Sequence, residues 1–145
     1  MLGLAAARTI VAEALDHARS LDLPPMTVAV LDAGGHLVTF VREDGSSLYR
    51  EAIARGKAMG ALGMGTGSRT LQARAAAHPE FINAVTVLAG GALVPVPGGV
   101  LIRSDDAGRL VGAVGVSGHL PDADEACAVA GIVAAGLSAD TGAGS

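Results

Sequence analysis

The run Met26-Thr27-Val28-Ala29-Val30-Leu31, the turn Asp32-Ala33-Gly34-Gly35 and the return His36-Leu37-Val38-Thr39-Phe40-Val41-Arg42 decide the fold. Both arms are rich in β-branched and apolar residues, which fit a pleated, half-buried surface. Between them stand an Asp and two glycines, residue types that reverse a chain tightly. Two strands joined by so short a turn pair antiparallel, so the sheet starts from a hairpin.

Working outward, Leu4–Leu21 repeats apolar residues at helical spacing (Ile10, Ala14, Ala18; Val11, Leu15), and Pro24-Pro25 ends it. After the hairpin and the loop Glu43-Asp44-Gly45-Ser46, the stretch Ser47–Met59 reads as a helix with Leu48, Ala52 and Ile53 inward. A glycine-rich stretch over Gly60–Gly67 follows, and Ser68 is the expected N-cap of a helix reaching Ala77. His78-Pro79 breaks that helix, and Glu80–Leu88 continues it. Ala92–Val96 is expected as an edge strand, because Pro95 has no N–H for a ladder. Val100–Arg103 and Leu110–Ser117 make two further strands. Pro121 opens a last helix running to Gly136 or Leu137, with Asp122, Asp124 and Glu125 set against its positive end. The order α-β-β-α-α-β-β-β-α gives an α+β fold with an antiparallel sheet. One domain is expected over residues 1–139, with a flexible tail over 140–145.

The 145 residues are the length of one ordinary domain. Half are hydrophobic and 17% charged, which excludes intrinsic disorder. With no Trp, one Tyr and two Phe the chain offers no stacking platform for bases, and a net charge of −4 offers no field for phosphates. No nucleic-acid partner is therefore expected. The uncharged helical run Ala126–Ala139 is shorter than the roughly 20 residues that cross a bilayer, so no membrane partner is expected either. Cys127 is alone and sits in an apolar segment, which reads as a buried small hydrophobe in a reducing compartment. The N-terminus carries Arg8, Glu13, Asp16 and Arg19, unlike a signal peptide. Together these lead to the expectation of a cytoplasmic protein.

Several residues are of types that carry chemistry. Gly63-x-Gly65-x-Gly67-Ser68-Arg69 leads into a helix, where bare N–H groups and the Arg69 fork would grip a carboxylate, a phosphate or a propionate. Gly65, Gly67, Ser68 and Arg69 are thus ligand-binding candidates; a tight helix-to-helix connection is the other reading. Lys57 is the only lysine, and a desolvated lysine serves as a base or an amine nucleophile. The four histidines, His17, His36, His78 and His119, share no i, i+3 or i, i+4 spacing, so no metal site is expected from local spacing. His78 and His119 stand at element ends, where acid–base work is placed most easily. Asp122, Asp124 and Glu125 read as dipole complements or as crowded carboxylates that raise one another's pKa.

Leu93-Val-Pro-Val-Pro-Gly-Gly-Val-Leu-Ile-Arg103, Val111-Gly-Ala-Val-Gly-Val-Ser-Gly118 and Asp124-Glu125 together resemble the GlcG/HbpS family of haem-binding or haem-degrading domains, related to the C-terminal domain of PduO-type proteins. Val30–Gly35 and Ala54-Arg-Gly-Lys-Ala58 match the same pattern in the same order, and the resemblance spans about residues 5–137. The chain departs from it after GVSG, carrying His119 and Leu120 where relatives usually have an acidic and a small polar residue. The resemblance implies profilin-like α-β-α layers, a five-stranded antiparallel sheet and a homo-oligomer, commonly an octamer. It also implies a small-molecule ligand, with haem or another tetrapyrrole the leading cofactor, and places His17 in the region that supplies an axial ligand. The residues keep a second function open, a cofactor-free lyase or isomerase acting on a small carboxylic acid in a cleft between subunits. There Arg69 would hold the carboxylate and Lys57, His78 or His119 would be catalytic. Whether the protein is an enzyme is open at this point.

Overall fold

The computed structural model describes residues 1–106 and 108–143. Its elements are α1 (Leu4–Ser20), β1 (Thr27–Asp32), β2 (Leu37–Arg42), α2 (Arg50–Met64), α3 (Ser68–Ala77), α4 (Pro79–Leu88), β3 (Gly99–Arg103), β4 (Leu110–Ser117), α5 (Pro121–Ala134) and β5 (Ser138–Asp140). The five strands form one sheet in the order β2-β1-β4-β3-β5, every pair antiparallel. The expected hairpin pairs Val28 with Val41 and Val30 with Thr39, with an irregularity between Val30 and Leu31.

Side chains alternate between the two faces of a strand, and the core divides accordingly. Val28, Val30, Val100, Ile102, Val114 and Val116 point to one face, where they are buried against Ala7, Ile10 and Ala14 of α1 and Cys127, Ala128 and Ile132 of α5. Leu31, Leu101 and Ala113 point to the other, against Ala58 and Ala61 of α2. This is a helix–sheet–helix sandwich. Small residues let its layers approach closely. A Cβ on Gly115 of β4 would collide with the Ala54 carbonyl of α2, and one on Gly131 of α5 with the Ile10 carbonyl of α1.

Two expectations are corrected. The inward face of α2 carries Ala54, Ala58 and Ala61, whereas Leu48 lies before the helix at 84% exposure. Glycines on the facing strands demand alanines opposite them, so the larger apolar residues lose that place. Ala92–Val96 is not a strand; the Val94 N–H donates to the Gly56 carbonyl, which straps the segment to α2. The fifth strand is β5 instead, pairing Ile102 with Ala139 and Leu101 with Asp140. Asp140, at the start of the expected tail, also binds Arg103 Nε at 2.9 Å. Thr70 Oγ1 donates to the Gly142 carbonyl at 2.8 Å. Residues 144 and 145 of that tail lie outside the described residues.

Candidate functional site

The chemistry-bearing residues converge where β4 runs into α5. Lys57 leaves the sheet-facing side of α2 and is 2% exposed. Its Nζ donates to the Val116 carbonyl and to Asp124 Oδ2, both at 2.9 Å. Asp124, in the first turn of α5, is 1% exposed, and its Oδ1 accepts the His119 N–H at 2.9 Å. Burial pushes the Lys57 ammonium below its ordinary pKa, opposed by the Asp124 charge. Burial likewise pushes the Asp124 carboxyl up, opposed by Lys57. The charge of each group favours the charged form of the other.

The motif glycines make room for this pair. Gly98 has φ +124°, a backbone state that favours glycine, and a Cβ there would lie 2.7 Å from Lys57 Nζ. The Gly99 N–H donates to Ser68 Oγ at 2.7 Å, and Ser68 Oγ donates to the Gly99 carbonyl at 3.2 Å. That exchange ties α3 to β3. Ser68 is therefore a buried clasp in the first turn; the N-cap is Gly67, which makes no side-chain cap. Beside it Arg69 Nε donates to Glu125 Oε2 at 3.0 Å and Nη2 to Asp122 Oδ1 at 2.5 Å. The two acids raise the guanidinium pKa further. The fork expected to hold an external carboxylate is thus engaged by two carboxylates of α5.

Of the residues singled out in the sequence, Lys57, Ser68, Arg69 and the His119 backbone meet at this junction. The glycine loop is accounted for by chain geometry. Gly65, at φ +72°, ends α2 in the left-handed state, and Thr141 fills the space beside Gly67. His78 is exposed between α3 and α4, beside a depression lined by Ala77, Pro79, Glu80 and Phe81. His17 is half-buried in the last turn of α1. His36 is exposed, its Nδ1 3.3 Å from Asp32 Oδ1. The structure adds Arg50 and Ser117, whose Oγ accepts from Arg50 Nη1 at 3.1 Å at the rim of the junction. No signal in the sequence marks Arg50; Ser117 stands out only by lying beside a glycine at a strand end. Among the described residues no group of three His, Cys, Asp or Glu side chains is gathered as for a metal ion, and no helix is long and apolar enough to cross a membrane.

A helix–sheet–helix sandwich on one five-stranded antiparallel sheet, with a buried Lys–Asp pair beneath the GVSG strand end, defines an α+β protein. Residues 2–133 match the model of the haem-degrading protein HbpS-like family, and the chain belongs to that family. It is similar to PduOC solved as a haem complex (25% identity, 94% of this chain and 96% of that one, TM-score 0.84). It is also similar to HbpS (27%, 91% and 88%, 0.77). The Klebsiella pneumoniae protein ORFY shares the fold at 21% identity, over 93% and 90% of the two chains, with a TM-score of 0.83. No curated protein matches the chain.

Proposed function

We propose that this chain binds haem or a related tetrapyrrole, as a homo-oligomer that shares the ligand between copies. The family and the likeness to a haem complex support the ligand class. The observation that carries it to particular residues is the His17 imidazole. It is half-buried, and its ring makes no hydrogen bond among the described residues. Leu21, one turn on and 52% exposed, caps the helix, whereas the Arg19 guanidinium is engaged by the Pro24 carbonyl at 2.8 Å and by Glu43 at 3.3 Å. An imidazole nitrogen for the iron and an apolar contact beside it are groups that a tetrapyrrole site uses, and His17 and Leu21 fit that part of it. Haem, when bound, supplies an iron open to an imidazole nitrogen.

In this reading His17 would hold the haem iron through an imidazole nitrogen. The ligand's second face is covered by another copy, which accounts for an oligomer; the octamer common among relatives is the number proposed. Gly65, Gly67, Ser68 and Arg69 act at one remove, holding α3 against β3 and α5. The test is a hemin titration followed at the Soret band, with His17→Ala in parallel and oligomer mass measured by light scattering. A saturable shift at one haem per subunit, lost in His17→Ala, is expected. A shift retained by the variant would move the axial role away from His17, and absence of a saturable shift would end the haem reading.

A further inference from the structure

Across the sheet from α1, two depressions lie side by side along α2. One, of about 400 Å³, is lined by Glu51, Arg55, Met59, Gly90, Gly91 and Ala92 among others. The second, of about 410 Å³, is lined by Met59, Gly63, Met64, Val85, Leu88 and Ala92 among others. Met59 and Ala92 belong to both, so the two share a wall and form one groove. Each compartment alone falls within the usual size of small-molecule sites, roughly 300–1,000 Å³.

The two ends differ chemically. The second compartment has no charged side chain in its lining. Its two methionines are unbranched thioethers that adapt to the shape of an apolar guest. The first compartment carries Arg55, which is exposed and whose guanidinium makes no hydrogen bond or ion pair among the described residues. Glu51, one helical turn earlier, is also without an ion pair among them. Gly90 and Gly91, at φ +66° and +88°, keep the opposite wall bare, and a Cβ on either would meet nothing within 4 Å.

We propose that this groove binds an amphipathic monocarboxylate, with Arg55 taking the carboxylate and the Met59–Leu88 end taking the hydrocarbon body. A guanidinium free of protein partners pairs with a carboxylate through two parallel hydrogen bonds. The second compartment, with no charged side chain in its lining, offers no partner for a carboxylate at the far end of the guest, which selects against dicarboxylates. The site is separate from His17, because α1 and α2 pack on opposite faces of the sheet.

Decanoate is the probe, titrated calorimetrically into the full chain beside octanoate, decanol and the dicarboxylate sebacate. Saturable binding of one decanoate per chain is expected. Octanoate should bind about tenfold more weakly, from two fewer buried methylenes, and decanol and sebacate more weakly than decanoate. Arg55→Gln should abolish the preference for decanoate over decanol while keeping the chain-length dependence. Gly63→Leu should block all binding. Gly63 lies within α2, where a Cβ meets nothing within 4 Å, and leucine is the better helix former, so that variant keeps its melting temperature. His17→Ala should bind decanoate as the parent does, which separates this site from the haem reading. Equal binding of decanoate and decanol, or binding unchanged in both Arg55→Gln and Gly63→Leu, would overturn the proposal. So would absence of binding with a reduced oligomer mass in Gly63→Leu, which would assign the groove to contact between copies.

Discussion

Replacing Lys57 by methionine removes one partner of the most deeply buried charge pair described. Methionine matches the length of the lysine stem and fills its volume, so the cost is electrostatic and not a cavity. Asp124, 1% exposed, is left with the His119 N–H and no cation within bonding distance. Breaking a buried pair in this way costs about 3–5 kcal/mol, a large share of the roughly 5–15 kcal/mol that holds a domain folded. For a chain of this size that corresponds to a fall in melting temperature of about 10–15 °C at pH 7. The deficit depends on pH. Burial already pushes the Asp124 carboxyl up, and the variant lacks the charge that opposes that shift. Its folded pKa therefore lies above its unfolded value. The stability of the variant is highest below the unfolded carboxylate pKa, near 3.9, and falls as the pH rises through the folded pKa. Urea melts at pH 4.5 and pH 7 should show the gap from the parent protein widening toward pH 7. Lys57→Met/Asp124→Asn removes both charges and keeps an acceptor for His119, so it should recover at least about 2 kcal/mol relative to Lys57→Met. Single variants costing under about 1 kcal/mol each, with additive effects in the double variant, would refute the account of a desolvated pair.

Three further outcomes follow from the packing. Gly115→Ala should cost about 1–3 kcal/mol or more in urea melts, because its Cβ meets the Ala54 carbonyl and lies 3.0 Å from the Ala58 nitrogen. Cys127 is fully buried, and its thiol is pushed up to about 11, first by desolvation and then by Asp124. Alkylation by iodoacetamide at pH 8 should be negligible in the folded protein and complete in urea. Arg69→Ala should cost only about 1 kcal/mol in thermal melts, since its side chain is 36% exposed and Asp122 is 84% exposed, so solvent screens the pair. A larger loss would show that the α3–α5 contact depends on that guanidinium more than its exposure allows.

The residues that meet at the junction of β4 and α5 were legible in the sequence only one by one. Lys57 stands out as the only lysine, and Asp124 and Glu125 as acids at a helix start. The loop Gly63–Arg69 was harder. Glycines before a helix suit an anion, yet the same glycines suit a left-handed helix end and the close passage of Thr141. Only the position of α5 shows that Arg69 meets Asp122 and Glu125. The strand at Ala92–Val96 was misread because apolar residues around prolines resemble an edge strand, while the backbone partner of Val94 turned out to be α2.

By itself the sequence determined the antiparallel hairpin and most of the run of helices and strands, because periodicity and turn chemistry act over neighbouring residues, while the family was legible through the resemblance of its PVPGG and GVSG segments. The tertiary structure decided what lies far apart in the chain. β5 is three residues long, too short to carry a period, and it exists because β3 offers an unpaired edge. Lys57 and Asp124 are 67 positions apart. Their pairing, and the burial that shifts both acid–base equilibria, come from glycines that let three layers close on one point.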